Sequence, residues 1–277
     1  MFPGFARSFA FSVSLLLLGI SPASADLAAI LPGAGSLQHW SILTLGDETS
    51  RDELAGSAFV QGDVGVAGIG RITLRHAATI DGDLYCPTAG SVEMGPYATV
   101  TGSRFHDQDA LLDSAAAAAV AISRQANQFS RTYFAPNDIE LSQHRNFTVS
   151  GEPGATVVVK LGNFRLSGNS SFTLEGTATT TFIINVSKRF SLSDNAQVVL
   201  SGGVQWNNVL FNIRTRDSAV SLSGNVKLSG MLMANNRTVQ LSGQAQVDGE
   251  VIANRILFSD AGFKGNARVG HPPLVSP

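Results

Sequence analysis

The sequence predicts a mainly β protein: a β-solenoid of triangular section with one long α-helix packed alongside. Three observations carry this. Short apolar runs recur in aligned units of three, separated by Gly, Asn and Ser. The units repeat closely enough to stack, as solenoid coils do. One segment between two repeat blocks changes from strand alternation to helical spacing.

Residues Met1 to Ala25 read as a secretory signal peptide. Arg7 supplies the positive start, Phe9 to Ile20 the apolar stretch with Leu15 to Leu18 at its centre, and Ala23-Ser24-Ala25 the cleavage site. The apolar stretch falls short of the roughly 20 residues a membrane span needs. Cleavage after Ala25 leaves residues 26–277 as one domain, secreted or held at the cell surface.

The first repeat block keeps a strict spacing. Ile72-Thr73-Leu74 leads to Thr79-Ile80-Asp81-Gly82, and 20 residues later Val92-Glu93-Met94 leads to Thr99-Val100-Thr101-Gly102. A helix follows over about residues 107–132. Asp107 or Asp109 is expected to cap it, and Arg124 and Arg131 sit late, as the macrodipole favours. Leu111, Leu112, Ala115, Ala118, Ala119, Ile122, Ala126, Phe129 and Tyr133 follow its apolar face. The Ala-rich centre permits close approach to a flat surface.

The second block is longer. First strands end on Asn: Phe182-Ile183-Ile184-Asn185, Val209-Leu210-Phe211-Asn212, Leu232-Met233-Ala234-Asn235 and Val251-Ile252-Ala253-Asn254. Second strands alternate, as in Phe164-Arg165-Leu166-Ser167-Gly168 and Val220-Ser221-Leu222-Ser223-Gly224. Third strands close on Gly, as in Val226-Lys227-Leu228-Ser229-Gly230. The first strands are apolar at consecutive positions, so both their faces are buried; the helix is expected to cover them and leave the other two faces to solvent. The Asn column is expected to form a corner ladder of stacked amides, with Asn in the left-handed backbone a corner needs.

Composition narrows function. Charged residues are 14% of the 277, against roughly 25% in ordinary soluble domains. The net charge of −2 leaves no basic stripe for nucleic acid. Cys86 is the only cysteine, so no internal disulfide forms, and it reads as a small buried hydrophobe. The histidines 39, 76, 106, 144 and 271 lack zinc spacing, and no metal or cofactor is expected. Asp81, Asp83, Glu93, Glu175, Asp248 and Glu250 occur singly at corners, which favours turn chemistry over a polysaccharide-cleaving pair.

The order of repeat block, Ala-rich helix and longer repeat block resembles the ice-binding β-solenoid family and the related ice-binding-like adhesive domains of bacteria. The likeness rests on Trp40 to Gly46, Gly62 to Val66, Asp109 to Gln128, Thr181 to Val186, Asn208 to Asn212 and Gly249 to Ala253. It covers about residues 38 to 268. It implies a right-handed solenoid, no enzymatic activity, and binding through a flat face. The family's ice face has no fixed motif, so candidate residues must come from physics. Ice favours a flat array of short side chains on strands about 4.7–4.9 Å apart. Thr79, Thr99, Thr101 and Thr173 are the short β-branched hydroxyls expected to cluster on outward third-strand columns. The same columns carry Lys227, Gln246, Glu175 and Asp248, which are long or charged. Adhesion to an extracellular surface or polymer is therefore the first expectation, ice binding the second and a polysaccharide-active enzyme the third. No nucleic-acid or membrane-spanning partner is expected, and the chain is expected to act as a monomer.

Overall fold

Alternating apolar strands too short to stand alone are stable only when each lies on the next. In the computed structural model, which describes residues 27–46, 51–214, 219–259 and 268–270, they build a β-solenoid of about 10 turns. The expected signal peptide at 1–25 lies outside the described residues. Each turn contributes a strand to three parallel sheets, here named first, second and third in the order the chain visits them. In places one strand runs round the corners unbroken, as Lys227–Gly243 and Gln246–Ser259 do.

The stacking order departs from the sequence order. Trp40–Thr44 starts in the middle of the first sheet, between Asp63–Val66 on one side and Gln246–Ser259 on the other. From there the chain winds outward through Leu84–Tyr85 to Arg104–Phe105 at one end. The long helix carries it back past the starting coil to the far end at Ile139–Leu141. It then winds inward until Gln246–Ser259 and Arg268–Gly270 close onto the opening coil, with Ile42 beside Val251, Glu53 beside Leu257 and Phe59 beside Arg268. The two repeat blocks thus form one continuous stack.

Two short helical turns, α1 (Leu27–Ile30) and α2 (Ala34–Leu37), precede the solenoid, and α3 (Asp109–Gln128) is the long helix. Along the first sheet, alternate residues point into the solenoid and out toward α3. Phe182, Ile184, Val209 and Phe211 join the interior core, while Val158, Ile183, Leu210, Met231, Met233 and Ile252 pack under the helix. Leu112, Ala115, Ala119, Ile122 and Ala126 form its buried stripe, at three- and four-residue spacing. The first sheet is therefore buried on both faces beneath the helix, as its sequence predicts, and only its end strand Arg104–Phe105 is exposed. Ala118 is only half-buried, near Gly33 before α2, so Ala119 makes the close approach.

The ends of α3 differ from expectation. Its N-cap is Gln108, which makes no side-chain cap, and Asp107 has φ 61°. Asp109 instead accepts bonds from the backbone N–H and hydroxyl of Thr88, at 3.0 and 2.5 Å, which hold its carboxyl below the usual value. Arg131 lies beyond the helix and donates to the Lys160 carbonyl at 2.9 Å. The cation at the helix C-terminus is Lys160 from the sheet, donating to the Asn127 carbonyl at 3.2 Å.

The corners also differ in detail. A left-handed residue starts the turn out of the second strand in many coils: Gly56, His76, Gln143, Gly168, Asp194, Gly224 and Gly243. In three of these the Asn follows that residue rather than occupying it. Asn195 donates to Asn169 at 2.9 Å and Asn225 to Asn195 at 3.3 Å. The amide-to-amide ladder therefore runs at this corner. The expected first-strand column holds only Asn185 and Asn212, bonded at 2.7 Å, because the next strand sets Met233 rather than Asn235 beside Asn212.

The closing seam is held by a buried carboxylate. Asp52 accepts from the Ile256 N–H and from the Thr44 hydroxyl, each at 2.7 Å. Burial raises its pKa from 3.8 to about 6, against the opposing pull of those bonds and of Arg255. The folded state then holds a proton that the unfolded chain has released, so this group favours folding increasingly as pH falls through 6 and levels off below about 4.

Two outcomes follow. Between pH 7 and pH 5, wild type should gain about 1 kcal/mol relative to Asp52→Asn in denaturant melts, and an unchanged difference would exclude this titration. Ala119→Glu should lose several kcal/mol because it buries an unpaired charge, whereas Ala117→Glu on the exposed side should melt within about 0.5 kcal/mol of wild type.

Candidate surface-binding faces

Because α3 occupies the first sheet, the second and third sheets present their outward side chains to solvent. On the third sheet the strand pairing sets two columns. The first runs Thr99, Thr79, Phe59, Arg268, Gln246, Lys227, Gln197, Ser171 and Asn146. The second begins Thr101, Asp81, Gln61, crosses Gly270 and Asp248, and ends Ser229, Val199, Thr173, Thr148.

This register places the four candidate threonines. Thr79 and Thr99 are direct neighbours, with Thr79 half-buried and Thr99 exposed. Thr101 stands in the next column, its hydroxyl donating to Asp81 at 2.9 Å. Thr173 lies near the opposite end, about 34 Å from Thr101 at the usual strand spacing. Three of the four are brought together and the fourth is not. Thr173 keeps company with Thr148, a pairing hidden from a reading that stacked the coils in chain order.

The second sheet carries a patch of short hydroxyls outside the four candidate threonines. Ser191 lies beside Ser221, and Ser223 beside Ser242. Ser167 and Ser193 extend the second of these rows. All six are half-buried, which gives a low surface of short hydroxyls. Its signal was the recurring Leu-Ser-Gly and Leu-Ser-Asp, which also reads as turn chemistry. Ion pairs border this patch: Arg165 with Glu140 at 3.8 Å at one end, Arg51 with Glu93 at 3.7 Å and Arg75 with Glu53 at 3.4 Å toward the other.

The acidic groups are engaged separately. Asp83 accepts the Ser103 N–H at 2.7 Å, and Asp63 accepts that of Asp83 at 2.8 Å. Glu175 accepts from Ser150 at 3.1 Å, and Asp248 pairs with Lys227 at 2.8 Å. Glu250 is buried, and that burial pushes its pKa well up. Among the described residues, no three His, Cys, Asp or Glu side chains gather to hold a metal ion. Cys86 is buried, and burial pushes its thiol up to about 11. Such a thiol is a poor nucleophile at neutral pH.

A solenoid with one helix-covered face and two open ones can be placed by comparison. The family model described as "Putative Ice-binding-like adhesive domain" matches residues 33–264. The chain belongs to this family. No curated protein matches this ice-binding-like adhesive domain. Solved structures agree in fold. An ice-binding protein from the Antarctic ascomycete Antarctomyces psychrotrophicus aligns with TM-score 0.53 and 16% identity, over 86% of this chain and 96% of that one. A glycosylated ice-binding protein from an Arctic yeast aligns with TM-score 0.53 and 17% identity, over 92% of this chain and 96% of the other. Among the described residues of the adhesive domain, no helix is long and apolar enough to cross a membrane.

Since Thr99 points outward from a strand at the end of the stack, Thr99→Tyr should leave the fold intact. Its circular dichroism and melting temperature should match wild type; a large loss of stability would show that this position is packed.

Proposed function

We propose that the protein is a secreted, non-enzymatic adhesive module that attaches to an extracellular surface or polymer through its open sheets. The observation that carries this reading is the division of the solenoid. The helix closes one sheet, and the two open sheets are broad, rigid and chemically mixed. Among the described residues their carboxylates are engaged one at a time in ion pairs and corner bonds, without the convergent acid–base pair that hydrolysis of a polymer requires. Mixed charge and neutral polar groups suit a hydrated polymer, which offers many weak contacts to an extended surface. Residues Met1 to Ala25 support export of the chain.

Ice binding is the second reading. The short hydroxyls of Ser167, Ser191, Ser193, Ser221, Ser223 and Ser242 form a regular low patch. Thr79, Thr99 and Thr101 form a smaller one on the third sheet. Each is a candidate for ordering water.

Retention on polymer-coated surfaces and partitioning into slowly growing ice separate the readings. The adhesive reading expects retention on at least one polymer and little entry into ice. Strong partitioning into ice would reverse the order of the two. In that case Thr99→Tyr and Ser223→Tyr should each be measured, because the variant that abolishes partitioning identifies the face. Partitioning that survives both would remove these two patches as the contact.

A further inference from the structure

We infer that the third sheet contains a built binding cleft for a neutral saccharide unit, roofed by the loop 202–208. This names a ligand class for the adhesive reading and rests on it. The cleft arises from a mismatch between neighbouring coils. After Gln197–Ser201 the chain takes seven residues to reach Val209–Ile213. In the next two coils the third strand runs into the first through one glycine corner, Gly230 or Gly249. The longer loop overhangs the shorter corners.

Gly202 and Gly203 swing the loop outward with φ 72° and 103°. A Cβ on Gly202 would run into the Gly176 carbonyl oxygen, so the position requires glycine. A short 3-10 turn, Trp206–Asn208, then brings Trp206 over the sheet. The Asn208 amide anchors it, donating to the Ala178 carbonyl at 2.8 Å.

The resulting cleft holds about 310 Å³ and is lined by Val199, Val204, Trp206, Gln197, Lys227 and Asp248, among others. That volume is at the lower end of the roughly 300–1,000 Å³ of small-ligand sites. Val199 is 37% exposed, an unusual amount for an apolar side chain in a face otherwise polar here, and it provides the floor. Opposite it, Lys227 and Asp248 pair at 2.8 Å, and the Gln246 amide donates to Asp248 at 2.5 Å.

These groups specify the ligand. The two charges compensate each other, so the site offers no net field to a phosphate, a uronate or a free cation. It does offer donors on Lys227 and Gln197 and acceptors on Asp248 and Gln197, side by side with an apolar floor and wall. A sugar ring has the matching character: adjacent hydroxyls that both donate and accept, and an apolar C–H face. The cleft opens along the sheet, so a ring within a longer chain can enter. A sugar ring can lay its C–H face on Val199 and Trp206, a contact for which ice has no counterpart.

Calorimetry with cellohexaose, laminarihexaose, maltohexaose and mannohexaose tests the proposal, with hexagalacturonate as the charged contrast. At least one neutral hexasaccharide should bind with a Kd between about 10 μM and 1 mM and change the tryptophan fluorescence. Val199→Arg fills the cleft from an exposed position and should keep its melting temperature while weakening binding at least ~10-fold. Ser223→Tyr on the second sheet should bind as wild type does. The cleft is excluded if no neutral hexasaccharide binds, if hexagalacturonate binds more tightly than all four, or if Val199→Arg binds unchanged. Retention of the same proteins on insoluble polysaccharide keeps the two readings apart. Equal retention of wild type and Val199→Arg without hexasaccharide binding removes the cleft and leaves adhesion standing. Hexasaccharide binding without retention on any surface keeps the cleft and removes adhesion.

Discussion

The structure depends on how α3 is held to the first sheet. Asn185 and Asn212 stand side by side on that sheet, and Asn235 follows on the next strand two residues beyond Met233, the residue level with Asn212; all three bond the helix. Their amides donate to the carbonyls of Ala126, Ser123 and Ala119 at 3.0, 3.0 and 2.9 Å. These carbonyls descend the helix by three and four residues while the asparagines ascend the sequence coil by coil. A helical turn rises about 5.4 Å and neighbouring strands lie about 4.8 Å apart, so one turn per coil nearly matches over three coils. Ser123 adds a bond to the Asn212 oxygen at 2.7 Å. Apolar packing alone would let a greasy stripe slide or rotate on a flat sheet. Buried amides that need partners fix both position and angle, since each lost bond leaves a polar group buried without compensation. Small residues at Ala115, Ala119 and Ala126 keep the helix close enough for these bonds.

Much of this arrangement was legible in the sequence. Consecutive apolar positions such as Phe182-Ile183-Ile184 identify a strand buried on both sides, and alternation in Val220-Ser221-Leu222 identifies one with an open face. From these two patterns follow the solenoid, the place of the helix and the number of open faces. The recurring asparagines were visible too, but not their register, which sets only Asn185 beside Asn212, nor their helix partners. A side chain that can bond its own kind or a helix carbonyl looks the same in one dimension.

The site was less legible, and the reason is the closure of the stack. Strand identity comes from local pattern, but the neighbours of a strand come from the path of the chain. Here Phe59 lies beside Arg268 and Glu53 beside Leu257, contacts separated by about 200 residues. No periodicity in either block encodes that junction. Chain order set Thr99 next to Thr173, whereas the fold puts six strands between their two positions on the third sheet. The serine rows were obscured differently. Each Leu-Ser-Gly is sufficient as a turn signal, so its serine needs no second explanation until Ser223 and Ser242 are seen side by side.

Closure also explains why one chain can offer a long binding surface without exposed edges in the middle. A solenoid wound in one direction would bring its blocks together only at a loose boundary. Winding outward, returning along the helix and winding back instead joins both blocks through paired strands and the buried Asp52. The open sheets become single rigid planes across the junction, with backbone spacing set by hydrogen bonds rather than by side chains. Side chains on such planes can vary from Ser to Lys with little cost to the fold, which lets a uniform scaffold carry chemically distinct patches. The 202–208 loop is the local exception: the third sheet gains relief there because one corner is longer than its neighbours, and relief is what distinguishes a pocket for one ring from a plane for many contacts.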